Sequence, residues 1–293
     1  MKSENKAKLE LISSMLIFGT IGIFVRYIPL PSSIIALARA VIGVLFLMLF
    51  MIIRGKKVKW KDIRNNLFLL LFSGVLIGVN WILLFESYRY TTVATATLCY
   101  YLAPVFVIVL SPFILREKIT ARKILCVLIA LIGMFFVSGV STSGISGIKG
   151  ILYGIGAAVL YAIVVLCNQK IQDISAYDKT VTQLTASAIV LLPYVFFTEN
   201  INAISISFIE LGLLIVVGIL HTGIAYTLYF ASMKDLNAAT IAIFSYIDPV
   251  VAIILSVILL RENMGITGVL GAVLILGATL FSSLLERKKT IDI

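Results

Sequence analysis

The sequence predicts an all-α membrane protein whose ten transmembrane helices form two inverted repeats of five helices each. Three observations predict this fold: the composition, the number of long apolar segments and an internal repeat. Of the 293 residues, 61% are hydrophobic and only 13% are charged, whereas a soluble domain carries about 25% charged residues. A water-soluble protein of this length could not bury so much apolar surface in one core. The composition therefore excludes a soluble globular protein.

A helix needs about 20 mostly apolar residues to cross the hydrocarbon core of a bilayer. The chain offers ten such segments, at residues 9–28, 32–53, 66–87, 91–115, 119–139, 148–169, 176–198, 207–231, 236–260 and 264–285. The breaks between them contain prolines, a basic run, a Ser/Gly-rich run and a polar run, which are typical of loops. The short alternating segments of a transmembrane β-barrel are not found in the sequence.

Lysine and arginine cluster in the gaps between the apolar segments, where they set the orientation of a membrane protein. If the N-terminus is inside, 19 of the 24 basic residues fall on the cytoplasmic side, four fall on the opposite side and Arg39 lies within a segment. The sequence thus predicts a multi-pass protein of the cell membrane with both termini in the cytoplasm. The net charge of +10 follows from this topology, and no nucleic-acid partner is predicted.

The three cysteines do not form a metal-binding pattern. Cys99, Cys126 and Cys167 fall in three separate apolar segments, with no CxxC and no histidine at ligand spacing. We interpret these thiols as small apolar core residues. The sequence therefore predicts no metal and no other cofactor.

A shift of 145 residues superposes residues 78–117 on residues 223–262 without a gap. The two stretches share 15 identities in 40 positions, including a common Y-x-x-P-V and a common terminal L-R-E. This repeat predicts two five-helix halves, residues 1–145 and 146–293. Because five is odd, the second half must enter the membrane from the opposite side. Inverted repeats are typical of secondary transporters, whose substrate sites lie near the midplane between the repeats.

With Y-x-x-P-V followed by L-R-E in each half, the sequence resembles the drug/metabolite transporter superfamily, in particular its EamA-domain members. The resemblance extends over nearly the whole chain. It implies a central cavity lined mainly by transmembrane helices 1, 3, 4, 6, 8 and 9. It also implies export of amino acids or similar small metabolites, without specifying the cargo.

Asp248 is the first candidate site residue, because it stands near the middle of an apolar segment. A carboxylate at the bilayer centre costs about 2.5–3.5 kcal/mol on insertion scales, so something must compensate it. Pro249 removes a backbone hydrogen bond and loosens the preceding turn, where water can enter. We interpret Asp248 as a cavity-lining acid that binds a cationic group or carries a coupling proton. The alternative is an acid hydrogen-bonded to neighbouring helices that serves only the fold.

His221 and Arg39 are the next candidates. His221, near the middle of the eighth segment, is either a proton-coupling group or a neutral bridge between two helices; the sequence does not show whether it faces Asp248. Arg39 lies about two turns inside the outer end of the second segment. Snorkelling of its side chain to that interface is favoured over binding of an anion.

Aromatic and amide side chains complete the predicted site. Asn80 and Trp81 lie in the third segment, with Phe85 one turn beyond Trp81, and the repeat places Tyr226 and Phe230 at the matching positions. Rings with polar tips suit small amphiphiles or an ammonium group, although any single ring is also a candidate for simple packing. The two tyrosines that stand three residues before the repeated prolines join this set: Tyr101 and Tyr246.

Other polar residues are given structural roles. Asn168 and Gln183 are predicted to bond across helices. Glu117 and Glu262, at the ends of the fourth and ninth segments, are predicted to lie near helix N-termini, where the helix dipole favours an acid.

The sequence therefore predicts a secondary transporter that exports small metabolites such as amino acids by alternating access, with proton coupling through Asp248 and His221 as a second proton site. Its predicted partners are a small-molecule substrate, the lipid bilayer and protons, and the oligomeric state is open between a monomer and a homodimer. A lipid or lipid-carrier translocase, recognised by a lateral opening toward lipid, is the alternative. A membrane-embedded enzyme is disfavoured, because no paired acids, Ser/His pair, HExxH or Walker A loop is found.

Overall fold

The computed structural model describes residues 2–114, 121–138, 145–200, 205–232, 236 and 244–291. Glu117 and residues 237–243 of the predicted ninth segment lie outside these ranges. Within them, every regular element is a helix. The elements are α1 Lys2–Arg26, α2 Ser32–Ile53, α3 Trp60–Asn65, α4 Leu67–Tyr90, α5 Val93–Tyr100, α6 Ala103–Ile114, α7 Ala121–Ser138, α8 Ile145–Lys170, α9 Ala176–Thr198, α10 Phe208–Val216, a π-helix Val217–Ile224, α11 Ala225–Ser232, α12 Ile247–Leu259 and α13 Ile266–Ile291.

The described helices are those of a membrane protein. Seven spans are long and apolar enough to cross a bilayer, if α5 and α6 are counted together across their two-residue break and α10, the π-helix and α11 are counted as one. They are Glu4–Arg26, Ser32–Ile53, Leu67–Tyr90, Val93–Ile114, Gly147–Lys170, Ala176–Thr198 and Phe208–Ser232. Three shorter apolar helices of 10–17 residues are Ile124–Val137, Ile247–Leu259 and Ile266–Ala278. The short helix α3 was not predicted, because its sequence is part of the basic run after α2.

The outer surface of the bundle is apolar. Phe208, Phe197 and Phe113 are 95%, 82% and 81% exposed, and many leucines and isoleucines of α2, α7 and α9 are exposed as well. A water-soluble protein rarely exposes a contiguous apolar surface of this extent. These side chains are placed to contact lipid, which agrees with the predicted class of protein.

Prolines interrupt the two helices that carry the repeated motif. The predicted segment 91–115 is not one helix: it breaks at Tyr101 and Leu102, and Pro104 lies in the first turn of α6. At the second copy of the motif, the described helical residues Phe244 and Ser245 are followed by a turn at Tyr246, and Pro249 lies in the first turn of α12. Proline fits a first helical turn because the amide it lacks has no partner there.

Polar side chains join helices inside the bundle, as predicted for Asn168 and Gln183. The Nε2 of Gln183 on α9 donates to Asn168 Oδ1 on α8 at 2.8 Å and to Ser73 Oγ on α4 at 2.7 Å. On α4, Asn80 Nδ2 donates to the carbonyl of Ala157 on α8 at 2.5 Å. Because lipid offers no alternative partners, such bonds fix the helices against one another.

Candidate functional site

A central cavity of about 670 Å³ lies between the helices. Its walls come from α1, α4, α8, α11, the α5–α6 break and the start of α12. The family resemblance implied these elements. Residues of α2 and α9 also line the cavity, so the second and seventh predicted segments contribute as well. A space of this volume is typical of sites for small molecules.

Asp248 lies in the cavity wall, in the first turn of α12. Its Oδ2 accepts a hydrogen bond of 2.8 Å from the hydroxyl of Tyr101 at the α5–α6 break. The amides of a first helical turn also favour a negative charge. Both proline-induced breaks therefore contribute to holding one acid at the cavity surface. The carboxylate is compensated by a donor and a helix end, while it still faces open space.

Arg39 does not snorkel, and that prediction was wrong. Its side chain is 5% exposed and lines the cavity. Its Nε donates to Thr222 Oγ1 at 2.8 Å, and its Cζ lies 4.1 Å from the centre of the Trp81 ring. The hydrogen bond and the cation–π contact hold the guanidinium inside the bundle, so the side chain cannot extend along the helix to the interface.

His221 is fully buried in the π-helix and is not among the residues that line the central cavity. Its Nε2 lies 2.9 Å from the hydroxyl of Thr20 on α1, and its ring packs edge-on against Phe24. The Thr20 hydroxyl also donates to the carbonyl of Ile17 at 2.7 Å, so one hydroxyl of α1 is shared between its own helix and the imidazole of the π-helix. This geometry is that of a histidine bridging two helices.

The predicted aromatic and amide residues meet at the cavity. Asn80, Trp81, Tyr101, Tyr226 and Tyr246 all line it. Tyr226 stacks on Phe230, with ring centres 5.7 Å apart, and Phe230 also lines the cavity. Phe85, expected at the matching depth, is instead completely buried against Tyr88. The repeat thus predicts depth, but it does not predict which way each ring points.

Several lining residues were missed, and Tyr161, Tyr229 and Lys179 are among those with polar tips. The shift of 145 residues pairs Tyr229 with Leu84, but the sequence does not show that Leu84 lines the cavity, so the repeat alone could not identify Tyr229. Lys179 was counted only as a cytoplasmic charge. Its position in the first turns of α9, pointing into the cavity, depends on how α9 packs.

A second cavity of about 490 Å³, here called the lysine vestibule, adjoins the first. The two cavities share Ala176 and Phe230. The vestibule is further lined by residues that include three lysines of the loop after α2: Lys56, Lys57 and Lys59. Next to the central cavity there is therefore a space lined by three lysines and one acid, Asp178.

Contacts of Glu262 and Arg26 join helices on the side of the bundle that the sequence predicts to be the outer one, opposite the predicted side of the three lysines. The carboxylate of Glu262, after α12, accepts from the Val93 amide at 2.8 Å and from the Ala94 amide at 3.5 Å. It lies at a helix N-terminus, as predicted for an acid, but at that of α5, whose own N-cap residue is Thr92, and not at that of the following helix α13. Arg26 donates to the carbonyls of Tyr88 and Thr91 beside this cap.

Replacement of Glu262 by alanine is expected to lower the free energy of unfolding by about 0.5–2 kcal/mol, because the Val93 and Ala94 amides lose an acceptor, as amides of a first helical turn do when an N-cap side chain is removed. The measurement is the melting temperature of the purified protein in detergent. Glu86→Ala is the matched control, because Glu86 forms only a surface ion pair with Arg89, which contributes little. Equal melting temperatures for the two variants would contradict the capping role.

Comparison with known proteins identifies the family. The sequence model of the EamA-like transporter family matches residues 6–139 and, separately, residues 148–284. The chain belongs to the EamA-like transporter family. As an EamA-like transporter, it contains a cavity for a small-molecule substrate in a membrane-embedded helical bundle.

Several relatives align with this EamA-like transporter over nearly the whole length of both chains. An uncharacterized transporter of Bacillus subtilis, YxxF, is 31% identical over 94% of this chain and 88% of its own. One from Archaeoglobus fulgidus is 31% identical over 89% of this chain and 91% of its own. The uncharacterized inner membrane transporter YicL of Salmonella typhimurium is 24% identical over 99% of both chains. A solved crystal structure with 18% identity shares the fold, with a TM-score of 0.65 over 97% of this chain and 98% of that chain.

Proposed function

We propose that this EamA-like transporter is a secondary transporter that exports small metabolites, such as amino acids, by alternating access and in exchange for protons. Asp248 is the proposed coupling group. The observation that carries the proposal is the Asp248 carboxylate, held by Tyr101 at the wall of a 670 Å³ cavity. An acid that faces a cavity within a membrane-spanning bundle is a proton-relay or cation site by default.

Five pairs of residues related by the 145-residue shift support a ten-helix fold of two inverted five-helix repeats, 1–145 and 146–293. Both members of each pair line the central cavity: Trp81 and Tyr226, Leu84 and Tyr229, Tyr100 and Ser245, Tyr101 and Tyr246, Ala103 and Asp248. Two copies of one unit that contribute matching surfaces to one cavity supply the symmetry that alternating access uses. The two separate matches to the family model agree with this division.

The contacts at the two ends of the cavity support an inward-facing arrangement. The lysine vestibule adjoins the cavity on the predicted cytoplasmic side, while Glu262 and Arg26 join helices on the predicted outer side. The proposal includes cytoplasmic termini, which the distribution of lysine and arginine predicts. In an exporter, this state receives cargo from the cytoplasm.

Counterflow in liposomes tests the proposal. Purified protein is reconstituted in vesicles that are loaded with one unlabelled compound, and uptake of the same labelled compound is measured. The panel contains amino acids, amines, nucleosides and sugars. We expect at least one compound to exchange faster than in protein-free vesicles, and a pH gradient to change its steady-state accumulation.

A fluorescent phospholipid in the same vesicles separates the alternative. Movement of the labelled lipid between leaflets without exchange of any panel compound would favour a lipid translocase over the metabolite transporter. Exchange that ignores the pH gradient would retain the transporter and reject proton coupling.

A further inference from the structure

Arg39 is fixed in one orientation by two neighbours. Thr222 on the π-helix accepts from Nε, and the Trp81 ring of α4 lies beneath the guanidinium. Together they define both the rotation and the plane of the group. The two Nη nitrogens, which form the fork that binds an oxyanion through paired hydrogen bonds, take no part in either contact.

This guanidinium has no paired anion within the described part of the chain. No nitrogen of Arg39 lies within 4.0 Å of a described carboxylate oxygen; the ion pairs found there join Lys6 to Glu10, Lys8 to Glu4 and Arg89 to Glu86. No described atom accepts a hydrogen bond from either Nη of Arg39. A cation that is 95% buried without a hydrogen-bonded counter-ion is unfavourable, unless a ligand supplies the anion.

The charges around the cavity favour an anion as well. Asp248 is the one acidic residue among the described residues that line the central cavity, against two basic residues, Arg39 and Lys179. The adjoining vestibule is lined by three lysines and one acid, Asp178. A cleft with an excess of one sign of charge raises the local concentration of ligands with the opposite charge.

We propose that Arg39, oriented by Thr222 and Trp81, binds a carboxylate group of the cargo, so that this transporter selects carboxylated metabolites. The inference rests on the proposed transport function and names the chemical class of its substrate. A cargo that also carries an ammonium group fits the same cavity, because Asp248 and the tyrosine rings offer a cation site. The cavity is thus built for an anionic or zwitterionic cargo.

Matched acids and amides test the inference on the unmodified protein. L-Phenylalanine and L-leucine are compared in counterflow with L-phenylalaninamide and L-leucinamide, which keep the side chain and the amino group but lack the carboxylate. We expect the acids to exchange at least about tenfold faster than the amides, as for the loss of a charged hydrogen bond. Amides that exchange as fast as the acids would overturn the inference.

Variants of Arg39 and of its neighbour Thr222 test whether the preference for the acid over the amide depends on the guanidinium. In Arg39→Gln we expect the preference for acid over amide to disappear. In Thr222→Val, which retains the side-chain shape and the arginine charge, we expect the KM of the acid to rise about tenfold with little change in kcat. If Arg39 served only as a counter-charge for Asp248, both variants would alter acid and amide exchange equally.

The outcomes separate this inference from the proposed function. If compounds without a carboxylate exchange faster than every carboxylated compound of the panel, the inference is overturned. The proposed transport function is then retained. The absence of exchange for every compound contradicts the proposed function, and the inference with it. Because the acid–amide comparison uses the unmodified protein, it decides the question even if Arg39→Gln fails to fold.

Discussion

Asp248→Asn is expected to abolish the response of transport to a pH gradient while leaving counterflow in place. Asparagine has nearly the shape of aspartate, and it retains an oxygen that can accept the hydrogen bond from Tyr101. It cannot bind or release a proton at any ordinary pH. A cargo held through its carboxylate at Arg39 can therefore still bind and exchange, but its movement is no longer tied to a proton.

The size of the effect follows from the coupling itself. If one proton exchanges for one cargo molecule, a gradient of one pH unit, worth about 1.4 kcal/mol, sustains an accumulation ratio of about tenfold. In Asp248→Asn the ratio falls to one. The measurement is steady-state accumulation of the labelled cargo in vesicles with an imposed pH gradient, accompanied by counterflow without a gradient.

Asp62→Asn is the matched control. Asp62 lies in α3, outside the candidate membrane spans, and it does not line the central cavity. We expect this variant to retain the gradient response of the unmodified protein. Gradient-driven accumulation that survives in Asp248→Asn would reject the coupling role of this acid, whereas its loss in both variants would point to a nonspecific defect.

Gly271→Val is expected to give the largest loss of stability. In α13, a Cβ at Gly271 would lie 2.5 Å from the backbone oxygen of Gly133 on α7 and 2.6 Å from a methyl carbon of Val137. The first of these atoms belongs to the backbone, so a rotamer change cannot relieve the overlap. Small residues let membrane helices approach closely, and a branched side chain at this crossing must push α7 and α13 apart.

The expected cost is about 3 kcal/mol, at the upper end for overpacking. It is measured as a lower melting temperature and as a smaller monodisperse fraction after purification in detergent. Gly277→Val, in the same helix, is the control: Gly277 is exposed, and a Cβ there meets no atom within 4 Å. Similar melting temperatures for the two variants would show that α7 and α13 do not cross at these glycines.

Asp248 and Tyr101 could be predicted as site residues from the sequence, because the features that single them out do not depend on how the helices pack. An acid in an apolar segment must be compensated wherever it points, and the proline three residues after each tyrosine breaks the helix locally. The positions of these two side chains along the chain were therefore sufficient to place them near an opening. Their mutual hydrogen bond was not predicted, since it depends on two helices meeting.

For Arg39 and His221, the position of the residue within its apolar segment does not determine where its side chain points. Both lie inside apolar segments, but the direction of each side chain is set by residues from other helices: Thr222 and Trp81 for Arg39, Thr20 for His221. The π-helix adds a further difficulty, because its wider turns change which residues share a face. Apolar composition does not reveal that change of hydrogen-bond pattern.

The amino-acid sequence by itself determined that this chain is an all-α membrane protein of the EamA-like family, because hydrophobic length and a repeated motif are properties of the linear chain. Only the tertiary structure decided that the arginine is held in the cavity wall, that the histidine is excluded from it, and that Phe230 faces the cavity while Phe85 does not. The physical reason is that lipid satisfies any apolar face equally well. The rotation of each helix about its axis is therefore fixed by its contacts with the other helices, through small residues and polar bonds between them.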